Sequence, residues 1–104
     1  MNKFQIIQGD SVTATLEIEG QYADDVIGIQ FICDSLKVTY DLEKTISPLI
    51  WMIDIRSEDT KNMRVGVFKY NLVATYVGGW KKTIVYGQDV EVLLKDNKWT
   101  EVIY

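Results

Sequence analysis

Histidine is absent from this chain, and cysteine and proline occur once each. No basic surplus is present either: eleven Lys and Arg stand against fifteen Asp and Glu, a formal net charge of -4. Each gap removes a class of function. A Ser or Cys nucleophile normally needs a histidine base, and there is none. Structural zinc needs Cys or His clusters, which one cysteine cannot supply. With only Cys33, no intrachain disulfide can form, which fits folding in a reducing compartment. Cys33 ends an apolar run from Ile27, so it reads as a buried, inert thiol. Nucleic-acid binders show a basic stripe, and the nearest thing here is the pair Lys81-Lys82. No apolar run approaches the length of a membrane span, and Met1–Gln5 lacks the apolar stretch of a signal peptide. These features lead us to expect a soluble product made in a cytosol.

What is there suits one folded domain over residues 1–104. Apolar residues make up 47% of the chain and charged ones 25%, enough burial to offset chain entropy. The pattern is period two nearly throughout. Phe4 and Ile6 lead to a turn at Gly9-Asp10. Val12, Ala14, Leu16 and Ile18 alternate with Thr13, Thr15, Glu17 and Glu19, a strand with one dry face. Ile27, Ile29, Phe31 and Cys33 form the next apolar face. Asp34-Ser35 then turns into Leu36, Val38, Tyr40 and Leu42, which suggests a hairpin. Glu43 to Pro48 reads as a loop, and Leu49, Trp51, Ile53 and Ile55 resume the alternation. Ser57 to Met63 reads as a single helical turn, capped by Ser57 with Glu58 and Asp59 at its N-terminal end.

Phe68, Tyr70, Leu72, Ala74 and Tyr76 share a face. Gly78-Gly79 marks a tight turn, Trp80 to Tyr86 returns, Gly87 breaks, and Val90, Val92 and Leu94 alternate again. Trp99 to Tyr104 is expected to be a last strand. The count of about eight or nine short strands, with turns every 8–12 residues or so, predicts an all-β, antiparallel, immunoglobulin-like sandwich. Its expected core is Leu16, Ile29, Phe31, Val38, Trp51, Ile53, Phe68, Tyr70 and Leu72.

Catalytic chemistry is not expected. The acid pairs Asp24-Asp25 and Glu58-Asp59 are adjacent in extended chain, so their side chains point apart. Glycosidase-type work needs two carboxylates facing across a cleft. Calcium needs more oxygen ligands at regular spacing. The sequence therefore implies no metal, no cofactor and no nucleic-acid or membrane partner. Trp51, Trp80, Trp99 and six tyrosines are the most suggestive side chains. They read mainly as core or interface, with a sugar-stacking platform as the alternative.

The order of features resembles a known family. Gln8-Gly9-Asp10-Ser11 opens an alternating strand, and Ile53-Asp54-Ile55 runs into Ser57-Glu58-Asp59-Thr60. Then come Gly66-Val67-Phe68-Lys69-Tyr70-Asn71-Leu72, a Gly-Gly hairpin and a closing strand around Val90-Glu91-Val92. This resembles the N-terminal immunoglobulin-like domain of phage baseplate upper proteins, over Gln8 to about Leu94. The resemblance implies a non-catalytic structural module of a tail, baseplate or head. It would be made in the host cytoplasm, carried in the virion, and would work through surfaces shared with other phage proteins and with copies of itself. A carbohydrate-binding sandwich for host recognition and a small inhibitor of a host protein are the alternatives.

One surface is expected to carry assembly. If Gly78-Gly79 is a two-residue turn, Val77 pairs with Trp80, Ala74 with Thr83 and Val73 with Ile84. The face opposite Phe68 and Tyr70 then carries Val73, Val77, Trp80, Ile84 and Tyr86, a contiguous apolar set on a surface expected to be wet. A slipped register would exchange the faces, and the last strand is another candidate cover.

Overall fold

A computed structural model describes residues 4–47 and 49–94. Among these residues, eight strands and one α-helical turn follow in order: β1 (Phe4–Ile7), β2 (Val12–Glu17), β3 (Val26–Cys33), β4 (Val38–Asp41), β5 (Glu43–Lys44), β6 (Ile50–Ile55), α1 (Ser57–Thr60), β7 (Gly66–Tyr76) and β8 (Lys81–Leu93), with 3-10 turns at Ala23–Asp25 and Asp34–Leu36. They form two sheets, β1-β8-β7-β3-β4 and β2-β6-β5. The second, sixth and fifth strands against the third, seventh and eighth is the B-E-D and C-F-G partition of an immunoglobulin sandwich. The expected fold is therefore present, with one pairing outside its antiparallel rule. β1 runs parallel to β8, Phe4 beside Val90 and Ile7 beside Leu93.

The alternation seen in the sequence becomes the core. Ile29, Phe31, Trp51, Ile53 and Leu72 are buried, and Leu16, Val38, Phe68 and Tyr70 pack against them. Phe31 and Tyr70 stack at 4.8 Å, and Phe4 meets both edge-on. Cys33 is buried as expected. Arg56, not Ser57, takes the N-cap position of α1, and no side chain caps it. The hydroxyl that matters there is the buried Thr60. It accepts the Gly9 N–H at 3.0 Å and donates to the Asp10 carbonyl at 2.8 Å, tying α1 to the β1–β2 turn.

Three details depart from the expected pattern, the first being that the loop expected from Glu43 begins with the short strand β5. A bulge between Val26 and Gly28 turns Val26 inward and leaves Ile27 exposed. Gly87 does not break its strand: β8 continues through it, with Gly87 at φ +65° and its N–H given to Asn71 Oδ1. The expected strand Trp99 to Tyr104, and Pro48, lie outside the described residues.

Candidate interaction surfaces

The β7–β8 hairpin decides where the expected assembly residues fall. The Gly79 N–H reaches the Tyr76 carbonyl at 2.9 Å, with Gly78 at φ +97° in the third turn position, where a type II turn favours glycine. The Tyr76 N–H then takes the Trp80 carbonyl at 2.9 Å. The loop is thus Val77-Gly78-Gly79, one residue longer than assumed. Tyr76, not Val77, faces Trp80. Near the turn the register is Thr75 with Lys81, Ala74 with Lys82 and Val73 with Thr83. A shift between Leu72 and Val73 leaves Ile84 as the extra residue and restores Leu72 opposite Val85.

The five expected surface residues therefore divide. Val73 and Tyr86 lie on the outer face of the five-stranded sheet, and Tyr86 is 80% exposed. Tyr86 lines a surface hollow with Ile32, Lys69 and Asn71. Val77 sits in the loop, 62% exposed. Trp80 and Ile84 belong to the inner side instead. Ile84 packs with Val85 against the core. Trp80 lies flat on the buried Tyr76 at 3.9 Å and 5°. The outer face is mostly polar: Gln5 bonds Glu91, Gln30 bonds Asp41, and Lys69 pairs with Asp89.

Two apolar features emerge that the sequence reading did not place. The first is at the hairpin end of the sandwich, where Tyr22, Ile27, Val77 and Trp80 are all substantially exposed. Tyr22 meets Trp80 edge-on at 6.0 Å, and the Val77 N–H bonds the Asp25 carbonyl, which joins this end to the β2–β3 connection. One ring face of Trp80 is taken by Tyr76 and Tyr22 stands perpendicular to it, so these rings do not make the coplanar platform that sugar stacking uses. The second is a cleft of about 400 Å³ between the sheets, lined by Phe4, Ala14, Leu16, Phe31, Tyr70 and Leu72. It opens beside β2. Burial raises the Tyr70 phenol above its ordinary 10.0.

The acid pairs do not meet. Asp24 and Asp25 sit at the hairpin end, while Glu58 and Asp59 lie in α1 at the other, beyond the eleven residues of β7. Among the described residues, no three metal-ligating side chains cluster. No helix there is long and apolar enough to cross a membrane.

No protein-family model matches the chain, and no curated protein does. One solved structure similar to it is a glycoside hydrolase-like protein from Bacteroides vulgatus, at TM-score 0.48 and 14% identity, over 92% of this chain. The chain spans only 17% of that protein's length, and a likeness at this level carries no argument about function.

Proposed function

We propose that this chain is a non-catalytic structural protein of a bacteriophage or prophage particle, a tail, baseplate or head-associated module that works through assembly surfaces. The order of motifs from Gln8 to Leu94 suggests the particle. The observation that supports work by surface contact is the hairpin end. Tyr22, Ile27, Val77 and Trp80 leave apolar area in water at one end of the sandwich. The exposed charges Asp24, Asp25 and Lys81 are their neighbours in the chain, and a mixture of apolar and polar groups is what a protein contact uses.

The test is mass spectrometry of purified particles, for the natural chain and for Ile27→Lys with Val77→Asp. Both substitutions sit on exposed side chains, so the fold should survive. The expected result is incorporation of the natural chain and its loss in the variant. Absence of the natural chain from particles would overturn the reading.

A further inference from the structure

β2 is an edge strand, bonded among the described residues to β6 alone. In the constant-type immunoglobulin arrangement a first strand lies beside this one, A against B. Here the first strand has gone to the other sheet, and no described strand takes its place beside β2. The consequence is visible in burial: the inward residues Val12, Ala14 and Leu16 are only half-buried, and the cleft between the sheets opens there.

The backbone at this edge is arranged in a regular way. Ile18 gives its N–H to the Leu49 carbonyl at 2.9 Å, in register with the β2–β6 ladder. In an antiparallel ladder alternate residues bond the same neighbour. Leu16, Ala14 and Val12 therefore bond toward β6, and Glu17, Thr15 and Thr13 turn their N–H and C=O groups outward. Proteins usually blunt an open edge with lysine, proline or a bulge. The free stretch of β8 has these guards, in Lys81, Lys82 and its register shifts. β1 and β4 are four residues long and β5 two. β2 has six residues in unbroken register, without lysine, proline or bulge, and its one charge, Glu17, lies at its end.

We infer that β2 pairs antiparallel with β2 of a second copy of this chain, about a two-fold axis at Ala14. The sequence of the strand is self-complementary in that register. Outward-bonding Thr13 meets outward-bonding Thr15, a favourable cross-strand pair on the wet face. Val12 meets Leu16 and Ala14 meets itself on the apolar face. Glu17 falls opposite Ser11, so no like charges oppose. A same-edge contact of this kind is the closed, isologous form that two-fold dimers use. It joins the two three-stranded sheets into one of six strands and brings the open clefts of the two copies together. The inference stands apart from the particle proposal, since a dimer in solution does not require incorporation.

The experiment is sedimentation equilibrium of the full chain at rising concentration, beside two variants. The natural chain should be a dimer. Thr13→Lys with Thr15→Lys, on exposed side chains, sets four lysines against one another across the axis and should give a folded monomer. Ala14→Cys should cross-link the copies on oxidation, because a non-hydrogen-bonded antiparallel pair holds its Cα atoms about 4.5 Å apart. The same substitution in the double-lysine background should not cross-link. A natural chain that stays monomeric, with its own terminal segment or nothing beside β2, overturns the inference. So does a dimer that survives the two lysines, or one that the Ala14→Cys substitution fails to cross-link.

Discussion

At the scale of the residue, Thr60 shows how one hydroxyl can hold two segments. Fifty residues separate it from Asp10, and its single oxygen serves both the Gly9 N–H and the Asp10 carbonyl. Thr60→Val keeps the shape and removes the hydrogen bonds. It should cost about 1–3 kcal/mol in denaturant unfolding, because two part-buried hydrogen bonds are lost at about 0.5–1.5 kcal/mol each. Trp51 presents the opposite case. Its indole N–H is buried with no partner among the described residues, while Lys44 lies 5.6 Å from its ring. Trp51→Phe should therefore destabilise well below the roughly 3–5 kcal/mol expected of Trp51→Ala, since it removes an unpaired donor along with some packing. Equal losses in the two variants would show that the N–H is satisfied in solution.

Two phenols contribute to stability in the alkaline range. Burial raises Tyr70, and burial followed by the Asp59 charge raises Tyr40, both from 10.0. The unfolded chain then releases these protons at lower pH than the folded one. Their contribution is fully present below pH 10 or so and is lost as pH climbs through the raised values. Thermal unfolding should show a decline in the alkaline range that is shallower in Tyr40→Phe with Tyr70→Phe.

At the scale of the element, period two is enough to place every expected core residue on an inner face, from Leu16 to Leu72. It does not show where the period slips. Ile27 looks identical to Ile29 in a string of alternating residues, yet the bulge at Gly28 sends it outward. Gly78-Gly79 fits a two-residue and a three-residue loop equally, and that one residue moves Trp80 and Ile84 to the inner side. The open edge of β2 is illegible for another reason: alternation describes a strand's faces and is silent about its neighbours. Gly87 is legible as special, but as a stop it is misread. Its φ of +65° within β8 is the left-handed region that other residues resist. Gly87→Ala should cost about 1–2 kcal/mol. Gly87→Asn should cost less, because asparagine tolerates that conformation. The order of the two melting temperatures checks the point.

At the scale of the whole molecule, four residues of β1 close one edge of the larger sheet. Ile6 is buried beside β8, whose Val90 and Val92 are fully buried. A chain lacking residues 1–7 should lose cooperative unfolding altogether, followed by near-ultraviolet circular dichroism. A sharp transition in the shortened protein would mean that the sandwich closes without its first strand.

That closure also sets a timetable. Gln5 and Glu91 are bonded across 86 residues of sequence. During synthesis the first strand leaves the ribosome long before its partner exists, and it must wait, apolar side chains bare, until nearly the whole domain has emerged. Contacts of such long range pay their loop-closure entropy late and slow folding. The hairpin of β7 and β8 can form locally once both strands exist, so β8, made late, becomes the template on which β1, made early, finally docks.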